Sequence, residues 1–166
     1  MKLEQIGFEP TTERRLFVLN LKSFEDWPNS IEVDAKHFTL FVAAESPGAA
    51  KSIKRAATAA LSSGAAYVCT WGPDCQRIEG IFDEARDELA DENTQSVVMT
   101  TCHVDESLKE AVWFFLAATY PDEAYAATTN AAVAVIVGNL KWAAEIVQAF
   151  RDPHAFKIAV LGGEPA

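Results

Sequence analysis

The chain has 166 residues and is 49% hydrophobic, enough for one well-formed core and too little for two ordinary domains. Its 24 acidic and 14 basic side chains leave a formal charge of −10, which repels a phosphate backbone or an anionic membrane and argues against nucleic acid and lipid as partners. A basic protein or a cationic ligand suits such a surface better.

The opening Met1-Lys2-Leu3-Glu4-Gln5 lacks a signal peptide's apolar centre, and no apolar stretch approaches bilayer-spanning length. The expected location is therefore the cytoplasm. Residues 1–36 read as a polar leader within the same domain, with one possible extra strand at Leu16–Leu21 and a turn-rich loop over Glu25–Ser30. Residues 37–166 read as a single α/β domain.

His37–Ala44 is the first clear strand. Ser46 and Pro47 then offer an N-cap hydroxyl and a first-turn proline for a helix running to about Ser63. Ala49, Ile53, Ala56, Ala57, Ala60 and Leu61 fall on one face of that helix, and Gly64 stands where a left-handed C-cap is expected. Strand Ala65–Trp71 leads through Gly72-Pro73-Asp74 into a helix with the stripe Ile78, Ile81, Phe82, Ala85, Leu89, capped by Asp74. Strand Ser96–Thr101 leads into a third helix, with Asp105 as the expected N-cap and Leu108, Ala111, Val112, Phe115 and Leu116 as its stripe. A strand at Ala132–Val137, a helix at Leu140–Phe150 and a last strand at Phe156–Leu161 complete the pattern.

Alternating strands and helices at this spacing predict a Rossmann-like three-layer α/β sandwich with a mostly parallel sheet of five or six strands. Strand order is left open.

The residues with chemistry gather at two strand ends. Cys75 falls in the first turn of a helix, where unpaired N–H groups and the helix dipole favour a thiolate, while neighbouring Asp74 opposes one. His103 is a candidate base for Cys75, with Asp105 or Glu106 orienting its ring. Trp71, Asp74, Thr101, Cys102, Asp105 and Glu106 would line the crevice. Against this, helix-start chemistry accounts for Pro73, Asp74 and Asp105, so a hydrogen-bonded Cys75–His103 pair is not expected. No metal site is expected, because Cys102 and His103 are sequential and point to opposite faces when extended. The odd count of three cysteines, with Cys69 inside an apolar strand, suggests reduced thiols. Cys75 is expected to be more accessible than Cys69. No cofactor is expected: Glu45–Ser52 ends in Lys-Ser but lacks the glycines of a phosphate loop, and no G-x-G-x-x-G occurs.

The third helix is apolar nearly all round. Trp113 and Phe114 on it, and Trp142 on the fourth, exceed what one core stripe requires. They are the expected interface residues for a protein partner or a homo-oligomer.

Trp71-Gly72-Pro73-Asp74-Cys75 and Thr100-Thr101-Cys102-His103, followed by Glu106-Ser107-Leu108 and Trp113-Phe114, resemble a family of small uncharacterised bacterial proteins known as a domain of unknown function. The resemblance implies a bacterial, cytosolic protein and no activity. Three functions remain open at this point. The leading one is a non-catalytic interaction or accessory, immunity-type module; the others are a cysteine-dependent hydrolase or transferase using Cys75 and His103, and a small-ligand sensor.

Overall fold

The computed structural model describes residues 3–46, 48–91 and 97–162. Six strands form one sheet in the order β1-β2-β6-β3-β4-β5: β1 (Glu4–Glu9), β2 (Arg14–Leu21), β3 (His37–Ala44), β4 (Ala65–Trp71), β5 (Met99–Cys102) and β6 (Thr129–Val137). All pairings are parallel except the β1–β2 hairpin. The α/β class, the strand number and the mostly parallel sheet are as the sequence predicts.

The central strands β3 and β6 are nearly continuous apolar runs, buried almost throughout, because helices cover both faces of the sheet. Helices α1 (Ala50–Ser63) and α2 (Cys75–Leu89) pack on one face, burying Ile53, Ala57, Ile78 and Phe82 against Phe38, Leu40, Val42 and Val68. On the other face lie α3 (Leu108–Ala117), α5 (Leu140–Arg151) and α6 (Pro153–Gly162), with the short α4 (Glu123–Ala126) before β6. Phe115, Ile146 and Phe150 bury there against Phe41, Tyr67, Cys69 and Ile136. From β3 the chain moves outward through β4 to β5, then returns over the opposite face to β6, on the other side of β3. The order in which strands are laid down therefore reverses between the parallel neighbours β3 and β6, and β5 is an edge strand.

Several expectations change. Residues 4–9 of the leader are strand β1, whose polar side chains conceal it because an edge strand needs little apolar surface. The last predicted strand, Phe156–Leu161, is instead helix α6. A short apolar run fits either period, and helix-start chemistry decides it: Asp152 Oδ1 accepts from Ala155 N at 3.1 Å, and Pro153 opens the helix.

Helix α1 starts at Ala50 with Ala49 as N-cap and no side-chain cap, so Ser46 is not its cap; Pro47 lies outside the described residues. Its end is as expected, with Gly64 at φ +114. Strand β5 begins at Met99, and Ser96 also lies outside the described residues. The cap of α3 is Ser107 rather than Asp105. Ser107 Oγ accepts from Glu110 N at 3.1 Å while Glu110 Oε1 accepts from Ser107 N at 3.2 Å, a reciprocal capping box. Asp105 instead takes a left-handed conformation, φ +60, in the preceding turn.

Candidate functional site

Strands β4 and β5 are adjacent and in register, with Cys69 opposite Thr101 and Thr70 opposite Cys102. Side chains alternate between faces along each strand. Thr70 and Cys102 consequently turn toward α2, and Cys69, Thr101 and His103 toward α3. This alternation separates the sequence-predicted residues into two groups, one on each side of the sheet edge.

On the α2 side, Cys75 Sγ and Cys102 Sγ are 3.3 Å apart. Two constraints bring them together. Gly72 turns the chain at φ +123, and a Cβ there would lie 2.3 Å from Ala44 O. Thr70 Oγ1 then donates to Cys75 O at 2.9 Å, tying the start of α2 to the strand. Asp74 occupies the N-cap position but pairs with Arg77 at 3.5 Å instead of capping, so the side-chain cap expected of it does not form. Cys75 is buried and Cys102 half-buried. The Cys102 thiol is pushed up, first by burial and then by the Cys75 thiol and Glu79. Glu79 is itself raised, first by burial and then by Asp83, whose carboxylate accepts from Thr100 Oγ1 at 2.6 Å.

On the α3 side, His103 Nδ1 lies 2.9 Å from Glu106 Oε2, and its Nε2 lies 2.9 Å from Thr101 Oγ1. A carboxylate only accepts, so Nδ1 donates to Glu106, and in the neutral tautomer Nε2 accepts the Thr101 hydroxyl proton. Of Asp105 and Glu106, the two carboxylates the sequence offered to the ring, it is Glu106 that contacts it, and the group on the ring's far nitrogen is Thr101. Cys75 lies across the sheet, facing Cys102. Trp71 Nε1 donates to Glu106 O at 2.8 Å and fixes the loop.

Cys69 is fully buried beneath this group. Its thiol is pushed up to about 12, chiefly by burial.

The aromatic residues pack largely within the chain. Trp142 meets Trp71 edge-on at 4.6 Å, and Phe114 packs against His103 at 4.6 Å and Tyr67 at 6.4 Å. Trp113 is half-buried, with its indole nitrogen buried and without a hydrogen-bond partner. The open apolar surface lies elsewhere, in a groove of about 420 Å³ between α3, α5 and α6 lined by Leu108, Val112, Ala149, Phe156, Ala159 and Val160. The sequence reading missed this groove because it took Phe156–Leu161 for a buried strand. The available signal was Asp152-Pro153, an N-cap side chain followed by a first-turn proline.

Among the described residues, no three His, Cys, Asp or Glu side chains are grouped to hold a metal ion, and no helix is long and apolar enough to cross a membrane. Fold and site define a small open-sheet α/β protein with a thiol pair and a hydroxyl–imidazole–carboxylate chain on opposite sides of one sheet edge. Over residues 16–153 the chain matches the family described as a domain of unknown function, DUF7684, and belongs to it. No curated protein and no solved structure matches it.

Proposed function

We propose that this domain is a non-catalytic protein-interaction module of the cytoplasm, and that the α3–α5–α6 groove receives an amphipathic helix of a partner protein with basic residues along its edges. The groove itself carries the reading: its floor combines large apolar side chains with Ala149 and Ala159, which leave room for a helix to settle. Ile158 and Leu161 extend the apolar surface beyond it, 56% and 71% exposed. Glu145 and Asp152 stand at its margin against Lys109, and together with the formal charge of −10 they favour a basic partner. A Leu/Lys amphipathic peptide, with a Leu/Glu peptide of the same apolar pattern as control, tests it by NMR titration. Saturable shifts confined to α3, α5 and α6 for the Leu/Lys peptide, weakened by salt and lost in Ala159→Trp, are expected. Shifts scattered over the acidic surface, or unaffected by Ala159→Trp, overturn the assignment, as does a concentration-dependent dimer that occupies the groove with a second copy.

A second reading rests on the Thr101–His103–Glu106 chain, whose order of hydroxyl, base and carboxylate is that of an activated nucleophile. It replaces the Cys75–His103 enzyme with a threonine-dependent acyl transfer. Hydrolysis of p-nitrophenyl acetate above the buffer rate, abolished in Thr101→Val and retained in Cys75→Ser, would support it. Equal rates in wild type and Thr101→Val would dismiss it.

A further inference from the structure

We propose that Cys75 and Cys102 form a reversible redox pair that closes to a disulfide by exchange with small neutral or cationic disulfides. The sulfurs, 3.3 Å apart, need to approach by little more than 1 Å to reach a bond length of about 2.05 Å. They sit on two elements held in register by the Thr70 Oγ1 bond to Cys75 O and by the Thr70–Cys102 strand pairing. Cys102 is the accessible member and Cys75 the buried one, which sets the order of steps.

The Cys102 thiol loses its proton to solvent and attacks one sulfur of the small disulfide. The disulfide's S–S bond breaks, and the departing thiolate takes up a proton. Cys75 then gives up its proton and attacks the Cys102 sulfur of the mixed disulfide, forming the Cys75–Cys102 bond and expelling the second thiol. Two electrons pass from the protein to the small disulfide, which leaves as two thiols. Glu79, whose charge acts on Cys102, gives the approach a negative field, while Asp74 beside Cys75 is paired with Arg77. An anionic disulfide is disfavoured there. Cys69 takes no part, being fully buried on the opposite face.

Incubation with cystamine, followed by thiol counting in denaturant and peptide mapping, tests the pair on the unmodified protein. Free thiols should fall from three to one, with residues 75 and 102 in the linked peptide. Closing a loop between residues 27 positions apart should raise the melting temperature by roughly 7–14 °C, and dithiothreitol should reverse this. Cys75→Ser should stop at a stable cystamine adduct on Cys102 with no rise in melting temperature, and Cys69→Ser should behave as wild type. Oxidised glutathione, an anion, should react several-fold more slowly than cystamine. A persistent wild-type adduct at Cys102 that never resolves, or thiols that stay at three, overturns the pair; equal rates for the two reagents overturn the assigned substrate charge.

Discussion

His103 is held by Glu106, three residues further along the chain, with 2.9 Å between Nδ1 and Oε2. The ring is only 6% exposed, yet both its nitrogens have partners, so burial leaves neither unsatisfied. One side chain thereby ties the end of β5 through Thr101 to the turn that starts α3. In its neutral form the ring should carry its proton on Nδ1, and long-range 15N–1H NMR of the imidazole should report that tautomer. His103→Ala removes the partner of two polar groups and should destabilise the fold by about 2–3 kcal/mol in urea denaturation.

The capping assignment separates two nearby residues. Ser107→Ala breaks a reciprocal box and should cost about 1 kcal/mol. Asp105, at φ +60, caps nothing, so Asp105→Gly should be neutral or stabilising, by up to about 1 kcal/mol. Parallel urea melts of the two variants would check this, and the reverse ranking would restore Asp105 as the cap.

Gly72 positions the start of α2. Gly72→Ala forces a Cβ to 2.3 Å from Ala44 O at φ +123, so it should destabilise by about 3 kcal/mol or more. The same change should slow Cys75–Cys102 disulfide formation, because the helix start carries Cys75. Both effects are measured on one protein, by denaturation and by thiol counting.

Two carboxylates act in opposite directions with pH. Glu9 is 1% exposed, and its carboxylate lies 2.8 Å from Lys157 Nζ and accepts from Thr11 N at 2.7 Å. Burial, the largest influence, raises its pKa, but Lys157 and Thr11 together outweigh it and leave the value below the ordinary 4.5. Its stabilisation is complete above that ordinary value and is lost as pH falls through the lower folded one. Glu9→Gln should therefore cost roughly 3 kcal/mol at neutral pH by stranding Lys157, and its deficit should shrink in acid. Glu79, raised by burial and Asp83, contributes below its ordinary value and loses that contribution as pH rises through its folded value. Glu79→Gln should thus gain relative stability toward neutral pH. Urea titrations between about pH 3 and 7 read both slopes.

Native alkylation should label Cys102 first, then Cys75, and Cys69 last. Exposure sets this order, since burial pushes the thiols of Cys102 and Cys69 alike up to about 12: Cys102 is half-buried, Cys75 is 3% exposed at a helix mouth, and Cys69 is fully buried. Iodoacetamide labelling with peptide mapping gives the order, and early labelling of Cys69 would contradict the packing described.

The sequence by itself determined the elements whose signals agree with one another. Apolar β3 and β4, the striped helices α1 and α2 and the Gly64 cap follow from periodicity and local sterics, which act over a few residues and are written in the chain. It also located the chemistry, since Cys75, Thr101, Cys102, His103 and Glu106 all stand at the ends of recognisable strands. Tertiary structure decided which of them meet. Cys75 and His103 belong to neighbouring elements, yet the two-residue alternation of β5 sends Cys102 to one face and His103 to the other, and only the adjacency of β4 and β5 brings Cys102 to Cys75. The same holds at both ends of the chain. The polar β1 is a strand because β2 offers it an open edge, and Phe156–Leu161 is helical because Asp152-Pro153 starts it where α3 and α5 present an apolar face. Such outcomes depend on partners distant in sequence, and neither composition nor local periodicity carries that information.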